Sequence, residues 1–516
     1  MYKVFKNRYQ DSVSLMQISA QISKLAGITQ ASVVMGTDNN LIQLQDAGFP
    51  DRVEASPNDL IIAVMGETEA CNQALEVADQ RLNSKPEESG NAGLQTIAVT
   101  SLQMAQEQNP SANLALISVP GDYAAAEAIK SLQLGMNVML FSDNVSLQQE
   151  KQIKQRALEK HRLVMGPDCG TAIINGIPLG FANVVQQGSI GVIGASGTGL
   201  QEVTCRIDQL GAGVSQAIGT GGHDLHEEIG GISMLFALNA LAQDDNTQTI
   251  VLISKPPARS VAEKILRQAQ TCGKPVVVIF LGANPDEITG FGVHSAETLA
   301  DAADIAVALS RGKSRASSHL TLSQSHIDLL MQHAQHLSLM RQYIRGIFAG
   351  GTFCYESQLL CQQQGVSANS NTPVHGNQKL NDIRQSSAHT LIDMGDDDFT
   401  RGRPHPMIDP TLRNQRIQTE LNDPTCAVVL FDLVLGYGAA MDPAQDLIDI
   451  LNRRDPKNTP ILIAHVCGTE ADPQIRSHQI NALRQSGVLV AECNAQAAIW
   501  ASQIALIQAA KSGVTQ

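Results

Sequence analysis

The run Ser189-Ile190-Gly191-Val192-Ile193 opens directly into Gly194-Ala195-Ser196-Gly197-Thr198-Gly199, and a helical period then runs from Leu200 to Leu210. A short apolar strand, a glycine turn and a helix in that order specify a parallel α/β unit, because the helix must carry the chain back before the next strand can pair in parallel. The same pattern recurs at Gly213 to Ile218, Thr249 to Ile253 and Pro275 to Phe280. It recurs again at Cys426 to Val434, Pro460 to Val466 and Val488 to Ala491. Two such sets predict two flavodoxin-like halves in a pseudo-symmetric arrangement, with a site between them at the carboxyl ends of strands.

With 516 residues the chain exceeds one core, at about 150 residues per domain. Residues 1–90 read as a small N-terminal α/β domain, with strands at Tyr2 to Phe5, Ala31 to Met35 and Leu60 to Met65 and helices at Ser12 to Leu25 and Thr68 to Arg81. Asn83 to Asn91 is polar with Pro and Gly, a linker composition. Residues 91–186 read as a Rossmann-like unit with strands at Leu114 to Val119, Asn137 to Phe141 and Leu163 to Met165. The two flavodoxin-like units follow at 187–325 and 326–516, with a connector at Gly312 to Ser323.

Composition excludes several partners. Aromatic residues make up 3% and the net charge is -14, so neither stacking platforms nor a basic surface is available for nucleic acid. No apolar run reaches the roughly 20 residues that cross a bilayer. Nine cysteines are scattered without a CxxC pair, which reads as reduced cytoplasmic thiols with no disulfide frame and no metal site.

Four segments carry candidate chemistry. In the first turn, Gly194, Gly197 and Gly199 let backbone N–H groups converge on an anion, and Ser196 and Thr198 add hydroxyls. The bland alternative is a tight turn needing glycine for packing. Gly219-Thr220-Gly221-Gly222-His223-Asp224 ends the next strand. There Gly221 and Gly222 extend the cradle and His223 offers acid–base chemistry, against an ordinary loop histidine. Lys255, closing the third strand, suits a phosphate or carboxylate, the alternative being a solvated lysine. Near Asp396-Asp397-Asp398, the residues Arg401, Arg403 and His405, pinned by Pro404 and Pro406, read as a rigid anion or carboxylate clamp. The three aspartates read as an acidic helix start or a solvated loop, not a metal site. Cys169, with no histidine to pair with, reads as a buried thiol and not a nucleophile.

Gly166-Pro167-Asp168-Cys169-Gly170, followed by Gly191-Val192-Ile193-Gly194-Ala195-Ser196-Gly197-Thr198-Gly199, resembles the α subunit of succinyl-CoA synthetase. Over essentially the whole chain the sequence resembles the FdrA family, through Phe141-Ser142-Asp143-Asn144-Val145, Gly350-Gly351-Thr352 and Gly402-Arg403-Pro404-His405-Pro406-Met407-Ile408-Asp409-Pro410. The resemblance implies a CoA-binding-type Rossmann domain and two ligase-CoA domains. It also implies two helix N-termini facing each other across an active site, following Ser196-Gly197-Thr198 and Gly436-Tyr437-Gly438, so Gly436 and Gly438 join the anion-binding candidates.

The chain departs from the synthetases in several places. Residues 1–516 leave no room for an ATP-grasp domain, and Gly292-Val293-His294-Ser295 lacks the phosphohistidine pattern. Lys255 stands where a glutamate cradles that histidine. Val119-Pro120-Gly121-Asp122-Tyr123 replaces the Gly-rich CoA turn, so no cofactor is assigned with certainty. The resemblance therefore implies an enzyme subunit handling an acyl phosphate and a carboxylate substrate. The expectation is a carbamoyltransferase component of oxamate type, using carbamoyl phosphate in purine nitrogen catabolism. It would be a homo-oligomer working with partner subunits. The alternatives are an acyl-CoA synthetase of the succinate–CoA ligase type and a non-catalytic scaffold or sensor.

Overall fold

The computed structural model describes residues 1–49, 53–83, 99–313, 321–401, 403–454 and 459–513. Most of the expected linker (84–91), part of the connector (314–320) and Gly402 lie outside them. The chain divides into two compact units, Met1–Asp168 with Asp397–Asp409, and Cys169–Asp396 with Pro410–Gln516.

In the first unit, strands Tyr2–Phe5, Leu60–Gly66 and Ile28–Met35 form an antiparallel sheet with Leu60–Gly66 in the centre. Helices Ser12–Ser23 and Thr68–Asn83 cover one face, where Leu60, Ile62 and Val64 meet Leu15, Ile22, Cys71 and Ala74. Ile61 and Ala63 point to the opposite face, against Leu44, Phe49 and Val53. A central strand buried on both faces reads as the unbroken apolar run Leu60-Ile61-Ile62-Ala63-Val64. A second, parallel sheet joins Leu114–Ile117, Asn137–Leu140 and Val164–Met165. Its crossover helices are Gly121–Gln133 and Leu147–Glu159, the latter started by a capping box between Ser146 and Gln149.

The second unit holds two seven-stranded sheets. The first runs in the order His294–Ser295, Val276–Phe280, Thr249–Ser254, Gln187–Gly194, Val214–Gly219, Thr171–Ile174, Ile177–Gly180. The second runs Gln378–Lys379, Asn369–Ser370, Thr390–Asp393, Tyr343–Phe348, Cys426–Val434, Ile461–Cys467, Leu489–Ala491. Counting the parallel core strands of each half, the order is 2-1-3-4-5, the flavodoxin-like winding. The fold is thus α/β throughout, with parallel sheets in the larger unit.

Several strands are not evident in the sequence, four of them of consequence for the fold. Tyr343–Phe348 and Thr390–Asp393 are the first two core strands of the second half, and the pair Thr171–Ile174 and Ile177–Gly180 is an antiparallel hairpin on the first sheet. Its turn is Asn175-Gly176, both with positive φ (51° and 78°), the backbone that Asn-Gly favours between two strands. The hairpin makes the first sheet begin before residue 187, where the sequence reading started that domain.

Helix Gly197–Gln209 packs on helix Leu299–Ser310 of its own half and on helix Gly351–Gln363 and strand Ile461–Cys467 of the other. The two halves therefore share one packed interior. At the far side of the second sheet a buried charge network closes the fold. Glu420 accepts from Arg345 Nε at 3.1 Å, Arg416 Nε at 2.7 Å and the Ser386 hydroxyl at 2.6 Å. The side chains of Arg345 and Glu420 are 3% and 4% exposed, so neither guanidinium can recover its charge balance from water. Replacing Glu420 by Gln takes the carboxylate from Arg416 and leaves Arg345 with only Asp423, 2.7 Å from its Nη2. The expected cost is about 3–5 kcal/mol, read as a lower urea midpoint for the transition that unfolds this unit. An unchanged midpoint would mean the network contributes nothing net.

Candidate active site

The first strand of each half in the second unit runs into a helix through a glycine-bearing turn, and the two turns meet. Helix Gly197–Gln209 is capped by Ser196, whose hydroxyl accepts the Gly199 N–H at 3.0 Å. The same hydroxyl lies 2.5 Å from the Thr352 hydroxyl. Thr352 stands in the first turn of helix Gly351–Gln363, whose cap is Gly350. Two helix N-termini thus converge, each bringing N–H groups that its own helix cannot satisfy and the positive end of its dipole.

The glycines at the first turn divide by role. A Cβ on Gly194 would lie 2.8 Å from Leu200 Cγ, and one on Gly199 would lie 2.7 Å from Ser196 Oγ and 3.1 Å from Ile253 Cγ2. Those two are required by packing. Gly197 is exposed, and its nearest neighbour for a Cβ is Thr171 Oγ1 at 3.8 Å. Its N–H and that of half-buried Thr198 are the ones placed to meet a ligand.

The second N-terminus carries carboxylates. Asp432, on the third core strand of its sheet, accepts the Ala349 and Gly350 N–H groups at 2.7 Å each. Burial raises its pKa and those backbone donors oppose the rise. Asp393, at the end of Thr390–Asp393, lies against Gly351 Cα and accepts the Gly395 N–H at 2.9 Å. Burial pushes Asp393 up to about 7, against the opposing pull of Lys255. Lys255 directly follows the third core strand of the first sheet, Thr249–Ser254, with its amine 5.6 Å from the Tyr355 ring centroid. A lysine, two hydroxyls and a carboxyl group titrating near neutrality therefore gather at the switch points of two parallel sheets, the positions where open α/β sheets bind ligands.

The structure thus brings Ser196, Gly197, Thr198 and Lys255 together with Thr352, Tyr355 and Asp393. In the sequence Gly350-Gly351-Thr352 carries a family resemblance but no sign of a role, and Asp393 belongs to no motif. Its signal was a lone aspartate ending the apolar run Leu391-Ile392 just before Met394-Gly395.

Gly219–Asp224 begins beside the first turn, since the Thr220 N–H donates to Gly194 O at 2.9 Å. There Asp224 is the buried organiser, accepting the Ser233 and Met234 N–H groups at 3.1 and 2.9 Å. Gly221 is buried with φ 84°, Gly222 is exposed, and exposed His223 has its ring 5.0 Å from that of His226.

The helix facing Ser196 is Gly351–Gln363, whereas the resemblance implied one following Gly436–Gly438. The physical reason is strand order: residues 436–438 follow the third core strand of the second sheet, not its first. Gly436 and Gly438 hold positive φ and abut Ala182 O, the Asn183 side chain and the Phe181 ring, and the Tyr437 N–H donates to Ala182 O at 3.1 Å.

Arg401, Arg403 and His405 fall in the other compact unit. Both arginines are exposed. Burial pushes His405 down to about 4, so it is neutral at pH 7, and its Nδ1 accepts the Met407 N–H at 3.1 Å. His405 therefore organises a turn there and adds no cation to the expected clamp. Asp397 and Asp398 occupy the first turn of the short helix Asp397–Thr400, as an acidic helix start should. Cys169 is buried, with its thiol 3.4 Å from Gly219 O. Among the described residues no helix is long and apolar enough to cross a membrane.

Comparison with known proteins places these features. A CoA-ligase family model matches residues 347–504, and a CoA binding domain model matches 185–282, where sequence reading had expected the first ligase-CoA domain. A model described as AllF, heavy metal-associated domain, matches residues 1–98. That segment contains one cysteine, Cys71, which is buried, and no histidine, so it offers no cluster of Cys and His donors for a heavy metal. The chain is 30% identical over 177 residues to the ADP-forming sulfoacetate-CoA ligase subunit SqwL of an Acholeplasma species, covering 32% of this chain and 57% of that one. It is 28% identical to the ADP-forming succinate–CoA ligase α subunit of Methanothermobacter thermautotrophicus, covering 33% of this chain and 58% of that subunit. It is 42% identical over 504 residues to the protein YahF of Escherichia coli K12, covering 96% of this chain and 97% of YahF. The chain belongs to the FdrA family, among its YahF-like members, with the CoA-binding and CoA-ligase folds of the succinyl-CoA synthetase-like proteins.

Proposed function

We propose that this chain is an enzyme subunit of the acyl-CoA ligase type that holds the phosphoryl group of an acyl phosphate on the N-terminus of helix Gly197–Gln209 and transfers the acyl group to a nucleophile. The observation that carries this reading is the convergence of Ser196, Gly197 and Thr198 with Lys255 and Asp393 at one point. The Gly197 and Thr198 N–H groups and the Ser196 hydroxyl receive the phosphate oxygens, and Lys255 offsets their charge. Asp393, titrating near 7, takes the proton of the incoming nucleophile as its bond to the acyl carbon forms and the carbon–oxygen bond to phosphate breaks. Inorganic phosphate then leaves from the helix N-terminus. Where CoA is the acceptor it supplies the thiol, and its own phosphates are anions of the class this turn receives. The named CoA ligases and the two matched domain families support this form of the reaction.

One observation favours a second acceptor class. Lys255, a cation set 5.6 Å from the Tyr355 ring, stands where the synthetase resemblance puts the glutamate partner of a phosphohistidine. A site with a lysine there is suited to an acyl phosphate supplied from solution. With carbamoyl phosphate as donor and an amide nitrogen as nucleophile, the same residues perform a carbamoyl transfer. We further propose that the chain works with partner subunits in the cytoplasm, and that the divisions at 90/91 and 325/326 approximate its domains, the one between them lying before Thr171.

Phosphate release from acyl phosphates, carbamoyl phosphate included, should depend on an acceptor thiol or amide when the chain is assayed with its partners. Release that ignores every acceptor would contradict transfer. Ser196→Ala and Lys255→Ala should each lower kcat/KM by about 10²-fold, as expected for lost anion stabilisation. Turnover unchanged in both variants would favour a non-catalytic subunit. Asp393→Asn should remove the limb of the pH–rate profile that rises through about pH 7. Its stability effect has a definite sign. A carboxyl raised from its ordinary value near 4 binds its proton more tightly when folded, so the native state is penalised progressively as pH rises from about 4 to 7. Asp393→Asn should therefore stabilise the chain more at pH 8 than at pH 5, measured by urea unfolding at both.

A further inference from the structure

Behind the two helix N-termini, the structure gathers three donor atoms that the reaction above does not use, with the Cys205 thiol as a fourth group beside one of them, Cys467. Helix Gly197–Gln209 contributes Glu202 and, one turn later, Cys205. Strand Ile461–Cys467 of the opposite sheet contributes His465 and Cys467, two residues apart and so on the same face. His465 Nε2 lies 2.7 Å from Glu202 Oε2, and donor atoms of Glu202, His465 and Cys467 all lie within 4.8 Å of one another. Cys467 is also close enough to Glu202 and to the Cys205 thiol to act on both electrostatically. Glu202, Cys205, His465 and Cys467 are 3%, 1%, 2% and 0% exposed.

We propose that Glu202, Cys205, His465 and Cys467 form a buried site for a borderline-soft divalent cation of the zinc class. Two thiolates, an imidazole and a carboxylate are the donor types zinc takes in a four-coordinate site, and thiolates exclude magnesium and calcium as occupants. Sequence reading found no metal site because the pairs, Glu202-x-x-Cys205 and His465-x-Cys467, are separated by some 260 residues in the chain and show no CxxC spacing. Only the packing of one half's helix on the other half's strand joins them.

Binding replaces the His465–Glu202 hydrogen bond by bonds to the cation, and the two thiol protons pass to solvent. The cation and three anionic ligands leave one net negative charge, which Arg476, close enough to act electrostatically on Glu202 and Cys205, offsets. His465 also has a ring nitrogen, Nδ1, that is buried without a hydrogen-bond partner among the described residues. A neutral imidazole bound through one nitrogen and packed edge-on against Phe353, ring centroids 5.5 Å apart, is compatible with that environment. A cation here would tie the helix that carries the anion turn to the opposite sheet.

The test uses the full chain purified from zinc-supplemented cells, and the same chain stripped by chelator and reloaded with Co(II). One zinc per chain, together with near-ultraviolet thiolate-to-cobalt absorption in the reloaded protein, is the expected result. Cys205→Ser and Cys467→Ser should each weaken metal retention about tenfold or more, whereas Cys272→Ser, a half-exposed cysteine elsewhere, should leave the absorption intact. If either variant fails to fold, the wild-type spectrum alone decides. A wild-type chain that retains only trace zinc and shows no thiolate-to-cobalt absorption overturns the proposal.

Discussion

One hydrogen bond, between the hydroxyls of Ser196 and Thr352, marks where the two halves of the larger unit converge. Each hydroxyl belongs to the first turn or cap of a helix leaving the first core strand of its own parallel sheet. Helix dipoles of the same sign repel when their N-termini meet, so such a junction needs negative charge nearby. The molecule supplies part of it in Asp432, which binds the Ala349 and Gly350 N–H groups, and in Asp393 beside Gly351. The Gly197 end has no such carboxylate cap, since its capping group is the neutral Ser196 hydroxyl. The proposed function uses that asymmetry, with the phosphate on the Gly197 helix and the acid–base group in the other half.

The same asymmetry explains why a carboxyl group with a pKa near 7 is tolerated. Asp393 pays for burial at a place where Lys255, from the other half, lowers the cost of its charged form. Neither half alone contains the lysine, the carboxyl group and the open helix end. The site exists because two copies of one winding bring different strand ends to one point.

Much of this was legible in the sequence. Apolar runs such as Cys426–Val434, buried along its whole length, announce their strands, and the turn at 194–199 shows its strand-to-helix position without any alignment. Short or interrupted strands were harder. Thr390–Asp393 has four residues, and the Thr171–Gly180 hairpin has strands equally short, so that its Asn-Gly turn is the one clear sign of it in the sequence. Lys255 could be read from its place at a strand end, but its counterpart Asp393 could not, because nothing local shows that a lone aspartate faces a lysine some 140 positions away. His405 is a related case: two prolines suggest rigidity, and burial, which removes its charge, is not written in the local sequence.

The central claim is that the Gly197 helix end is an anion site. A crystal structure of the full chain soaked with inorganic phosphate or orthovanadate tests it most directly. The account predicts an anion bound by the Gly197 and Thr198 N–H groups and the Ser196 hydroxyl, with Lys255 turned toward it. An anion bound elsewhere at saturating concentration, with only water at the Gly197 helix end, would contradict it.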